Sequence, residues 1–226
     1  MWQVIIGTAL AAALTVLLAR HAMSTARRRK AEPERLLSAA AAVLDAPRIN
    51  AGMTAGTYVL TGRYKGHNAE VKVVADTLAV RKLPSLWLMV TLPGTLPVRA
   101  TLNLMMRPAG TSSFSNFDHL PFTEPTPHDF PKDAVIRTDD AEHMPDLKII
   151  SRHLGLFHSR YGKELLITPK GLRIVLLAGE ADRARYGVFR QADFGDVSVD
   201  PLMVTDSLDL LIALRQDIET WETASS

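Results

Sequence analysis

The 226-residue chain is 47% hydrophobic and 22% charged and contains no cysteine. That balance suits a sizeable buried core and excludes collagen, coiled coil and disorder for the whole chain, together with disulfides, thiolate metal sites and cysteine nucleophiles. The net charge of +2 conceals an asymmetry: residues 1–35 hold Arg20, Arg27, Arg28, Arg29, Lys30 and Arg35 against Glu32 and Glu34, so the rest of the chain is slightly acidic. No nucleic-acid face spread over the fold is expected.

The first element is apolar. Trp2 to Ala19 runs 18 residues without a charge, and as a helix it rises about 27 Å, close to a hydrocarbon core. The alternative is a cleaved signal peptide, but no basic side chain precedes the run, and Arg20 and the Arg27–Lys30 cluster follow it where a neutral mature start belongs. A retained single-pass anchor over residues 1–22 is therefore predicted. Positive charge after the helix keeps the domain in the cytoplasm and sends the N-terminus outward. Arg27, Arg28, Arg29 and Lys30 read as a topology signal or as a site for anionic lipid headgroups, and both readings stand. Gly7 and Ala11 form a small-xxx-small pair, a face on which another membrane helix packs closely.

Residues 23–55 are expected to form a basic juxtamembrane segment and linker helix, helical over 24–46 from the spacing of Leu36, Leu37, Ala40, Ala41 and Leu44 and ended by Ala46-Pro47. Period-two alternation then predicts a hairpin over 56–75 with its turn at Lys65-Gly66-His67-Asn68. A second hairpin pairs Leu86–Leu92 with Val98–Met106, giving a sheet of four antiparallel strands with one buried face. Residues 107–133 lack a period, yet Phe114, Phe117, Phe122 and Phe130 predict an ordered excursion pinned on a core, or a subdomain division there. Next come a strand at Ala134–Arg137, a helix at Ala141–Leu154 weakened by Pro145, a third hairpin over Lys163–Ala178, a further strand at Arg185–Arg190, and a last helix at Thr205–Trp221 capped by Thr205. The fold class is α+β: a transmembrane helix, then an antiparallel cytoplasmic domain over 56–221 and a tail at 222–226.

The strongly specific motifs for phosphate loops, dinucleotide folds, nucleophile elbows, zinc proteases and EF-hands are missing from the sequence. Asp118-His119, His128-Asp129 and Asp139-Asp140 with His143 are the oxygen and nitrogen groups nearest to a metal or general-base pattern, and Asp140 reads equally as a helix N-cap. His153 and His158 are five apart, which fits neither one helix face nor one strand face. Arg183, Arg185 and Arg190 around Tyr186 and Phe189 read as a solvated strand face or as a clamp for an anion, and Trp87 as a residue packed beneath a helix or as an exposed contact patch. No catalytic, cofactor or metal residue is assigned.

The segments GTYVLTGRYKGHNAEVKV, FDHLPF, VIRTDD and KELLITPKGLRIVLL, following a membrane anchor, resemble uncharacterised bacterial membrane-anchored proteins over about residues 56–178. The resemblance implies architecture and no activity. Two functions follow from the whole reading. The first is a non-catalytic accessory or scaffold protein partnered by the bilayer and by another membrane protein through the anchor. The alternative is a membrane-bound enzyme or ligand-binding module for a lipid or anionic metabolite, using Asp139, Asp140 and His143 or the arginines near Tyr186.

Overall fold

The computed structural model describes residues 36–52, 57–76, 83–108, 112, 114–181 and 198–225, with Leu17 and Arg20 as isolated positions. Gly7 and Ala11, the Arg27–Lys30 cluster and the expected strand at Arg185–Arg190 with its arginines lie outside the described residues. Among the described residues no helix is long and apolar enough to cross a membrane.

Alternating apolar side chains build the sheet. Strands β2 (Tyr58–Tyr64) and β3 (His67–Asp76) are joined by Lys65 and Gly66, whose φ of 47° and 84° make the mirror-image turn that matches strand twist. They belong to a nine-stranded, wholly antiparallel sheet that also contains β1 (Asp45–Ala51), β4 (Ser85–Pro93), β5 (Leu102–Met106), β6 (Phe122–Glu124), β7 (Ala134–Thr138), β8 (Gly162–Thr168) and β9 (Gly171–Glu180). The order across the sheet is β1-β2-β3-β4-β9-β8-β5-β7-β6. Leu60, Val71, Leu88, Val90, Ile174, Leu165, Leu104 and Ile136 alternate onto one face and are fully buried. Three helices cover this helix face: α1 (residues 36–41), α2 (Leu147–Ser151) and α3 (Pro201–Ser225). Leu37, Ile150, Leu208, Leu211 and Leu214 supply their side of the core.

The structure corrects four expectations. The expected second hairpin does not form: β4 and β5 are separated by β9 and β8. Pro93, Gly94 and Pro97 do not turn the chain back tightly. Instead the connection buries Leu96, Val98 and Ala100 and is tied to the β8–β9 turn by Gly94 N donating to Lys170 O (3.0 Å) and Leu96 N to Pro169 O (3.0 Å). That leaves the flank of β4 open to β9. Secondly, the first helix stops well short of Ala46, and β1 begins at Asp45. Pro47 is tolerated there because β1 is an edge strand with a bulge between Asp45 and Arg48 and Ala46 at φ 49°. Thirdly, α2 begins only after Pro145, with Asp146 accepting from Lys148 N at 2.8 Å, so Asp140 caps no helix. Lastly, α3 starts at Pro201, with Asp200 accepting from Leu202 N at 2.9 Å, while Thr205 sits inside the helix and bonds back to Pro201 O.

Gly171 is where the close fit of β9 against β4 is tested. Its φ is 141°, and a Cβ there would lie 2.5 Å from Leu92 O. Gly66, at φ 84°, has open space around it. Gly171→Ala should therefore cost roughly 2–4 kcal/mol, from strain and overpacking together, and Gly66→Ala about 1–2 kcal/mol from conformation alone. Urea unfolding midpoints of the two variants measure the difference.

The β2–β3 turn reaches α3 through Lys65 Nζ, 2.6 Å from Asp209 Oδ1. This hydrogen bond holds the Asp209 carboxyl below its ordinary range and the Lys65 ammonium above its own. Asp209 thus stabilises the fold above its ordinary pKa of 3.8, and that contribution is lost as pH falls through the lowered value. Lys65 contributes below 10.5 and loses its contribution as pH rises through the raised value. Lys65→Met should lower the melting temperature between these limits and converge with the parent at both extremes, as melting curves across pH will show.

Candidate functional site

Of the histidine and carboxylate groups singled out by sequence, the structure pairs Asp140 with His143 but gathers no three of them into one site among the described residues. Asp139 Oδ1 accepts from Thr101 N at 2.6 Å, beside the start of β5. Asp140 Oδ1 accepts from Glu142 N at 3.0 Å, and its Oδ2 lies 2.8 Å from His143 Nδ1. The hydrogen bond to His143 keeps the Asp140 carboxyl below its usual range. Asp118, His119, His128, Asp129 and His158 are exposed. His153 Nε2 lies 3.0 Å from Asp217 Oδ2, clasping α2 to α3. Among the described residues no group of three His, Asp or Glu side chains is placed to hold a metal ion.

The chemically unusual place is on the opposite, second face of the sheet. Cross-strand register sets two neighbouring rows there. One reads Met89, Val175, Glu164, Met105 and Val135 across β4, β9, β8, β5 and β7. The other reads Thr91, Arg173, Leu166, Asn103, Arg137 and Thr123, ending on β6. A carboxylate thus stands in the centre of an otherwise apolar row, and the Glu164 side chain is 0% exposed.

Burying a charge in this way demands partners. Glu164 Oε2 lies 3.0 Å from Arg173 Nη2, and Oε1 accepts from Asn103 Nδ2 at 2.7 Å and from the Ser115 hydroxyl. Ser115 belongs to a strap, Phe114–His119, that crosses this face and ends in a 3-10 turn, Phe117–His119. The strap buries Phe114 and Phe117 beside Met89, Met105 and Val175. The Phe114 ring lies 5.3 Å from that of Trp87, tilted to it, so Trp87 packs under the strap and not beneath a helix. At the far side Arg137 lies 5.0 Å over the Phe117 ring and donates through Nη1 to Asp118 O at 3.2 Å. Glu164 and Arg137 are thus the two charged pins of one strap.

Among the described residues four buried side-chain atoms lack a hydrogen-bond partner: Trp87 Nε1, Asn103 Oδ1, Arg137 Nε and Arg173 Nε. All four belong to this face, and three are N–H donors. Sequence reasoning passed over Glu164 because KELLIT reads as an ordinary hairpin strand. The available signal was its parity: Glu164 shares a face with Leu166, and Leu166 pairs with Arg173 on the partner strand.

No protein family, curated protein or solved structure matches the chain.

Glu164→Gln removes the charge that compensates Arg173 and should cost about 3–5 kcal/mol; adding Arg173→Met should restore part of it. Ser115→Ala should cost about 1 kcal/mol and accelerate protease cutting within 107–133. Chemical unfolding and limited proteolysis of the variants check both.

Proposed function

We propose that the chain is a non-catalytic accessory or scaffold protein, tethered to the cytoplasmic face of a bacterial inner membrane by residues 2–19 with its N-terminus outside. The observation that carries the non-catalytic part is the use of Glu164: both carboxylate oxygens are engaged by Arg173, Asn103 and Ser115, so the buried charge fastens the strap and is not free to move a proton. The uncharged run and the Arg27–Lys30 cluster behind it support the tether. A second reading, a ligand-binding module for an anionic metabolite or lipid, is favoured by the three unpartnered N–H donors on the second face.

Alkaline carbonate extraction tests the tether: the chain should stay with the membrane, and release overturns it. Crosslinked purification in mild detergent tests the role. A stoichiometric membrane partner, lost in Gly7→Leu with Ala11→Leu while insertion persists, is expected. A co-purified anionic small molecule with no partner protein favours the second reading instead.

A further inference from the structure

Where β5 ends and β8 begins, two cationic side chains, Arg107 and Lys163, are held by main-chain oxygens, and the Arg160 guanidinium lies beside Tyr161. Arg107, just beyond β5, has φ 46°, a left-handed conformation that arginine seldom adopts. Its Nη2 donates to Arg160 O at 3.3 Å and Gly162 O at 3.1 Å. Lys163 Nζ returns the clasp, donating to Met106 O at 2.7 Å and Arg107 O at 2.9 Å. The Arg160 guanidinium lies 5.0 Å over the Tyr161 ring, and Tyr161 is 44% exposed. Arg107 and Arg160 are exposed, as is His158, two residues before Arg160 in the chain. Among the described residues neither arginine is in an ion pair; Glu180 acts on Arg160 only through space, and Asp133 is the other acid nearby. This corner is positive on a chain that beyond residue 35 is slightly acidic.

We propose that this corner docks on anionic lipid headgroups, with Arg107 and Arg160 taking phosphate oxygens and the amphipathic ring of Tyr161 entering the interface. The choice of lipid rests on the tethered reading: the 16 residues between Ala19 and Leu36 span at most roughly 55 Å, so the domain stays within reach of its own bilayer. An exposed aromatic between cations suits a lipid interface, where one end of the ring is apolar and the other wet.

The test uses the full chain with one introduced cysteine, His158→Cys, carrying an environment-sensitive label in nanodiscs of phosphatidylcholine with increasing phosphatidylglycerol. The label should move into contact with lipid as phosphatidylglycerol rises and withdraw in high salt. Arg160→Gln, whose side chain makes no core contact, should raise the phosphatidylglycerol needed for half-maximal contact roughly fivefold. A label at Lys170→Cys, at the opposite end of the sheet, should stay in water. A His158→Cys label indifferent to phosphatidylglycerol, or contact made by the Lys170→Cys label instead, overturns the proposal. Failure of the chain to enter nanodiscs overturns the tether alone. Sedimentation with free phosphatidylglycerol vesicles then decides the corner: salt-sensitive binding weakened by Arg160→Gln upholds it, and binding equal to that on phosphatidylcholine overturns it. Tighter binding of a single-stranded oligonucleotide than of phosphatidylglycerol vesicles also overturns the lipid assignment.

Discussion

A sheet nine strands wide has two faces to cover, and the described helices lie over only one of them. On the helix face the solution is ordinary: α1, α2 and α3 lay apolar side chains over alternating Leu, Ile and Val. On the second face the middle strands carry Met89, Met105, Val135 and Val175, too apolar to leave wet, and a short strap covers them with two phenylalanines. So small an apolar contact secures a strap only weakly. A buried carboxylate is the stronger fastening, because a group that costs several kcal/mol to leave unpaired holds its partners in one arrangement. Glu164 therefore gives the strap a single seat: slide Ser115 or Asn103 away and a desolvated charge loses its hydrogen bonds.

Local signals were legible where the structure obeys local rules. Alternation and turn residues located β2, β3, β8 and β9 closely, since a two-residue turn joins neighbours in sequence and space alike. The pairing of β4 was not legible. Its true partner on that side, β9, comes nearly eighty residues later in the chain, and nothing in the run 93–101 distinguishes a hairpin loop from a connection that crosses the sheet end. The same holds for β1, where Pro47 counts against a strand unless the strand is an edge. Asp140 and Thr205 were misread as caps because several acceptors stand near each helix start; the prolines at 145 and 201 decide which one is used. Glu164 was invisible for a related reason: parity shows which residues share a face, but not that a strap from fifty residues upstream will dry that face.

The sheet edges follow the same economy of small devices. β1 presents a bulge, a proline and a left-handed Ala46, and β6 is three residues long between Pro121 and Pro125. Neither edge offers a long flat row of free N–H and C=O groups to another chain. Recruitment of a partner by strand addition is therefore disfavoured, and the outward surfaces that differ from a generic solvated exterior are polar or aromatic, not main-chain.

That distinction gives the basic corner its weight. Some exposed cations on the domain sit beside carboxylates, as Lys65 does with Asp209 and Arg215 with Glu219, pairs that neutralise one another locally at little net energy. At the end of β5 the exposed Arg107 is fastened to the neutral carbonyl oxygens of Arg160 and Gly162, which fix its position without cancelling its charge. Like charges at close range repel by about 1 kcal/mol even in water. The Arg107 guanidinium is thus held in place in advance, and an anion arriving there gains Coulomb energy without first ordering that side chain. A fold needing only its own stability would gain by placing a carboxylate at that corner. The one carboxylate buried close by, Glu164, points to the second face, where both its oxygens are already taken.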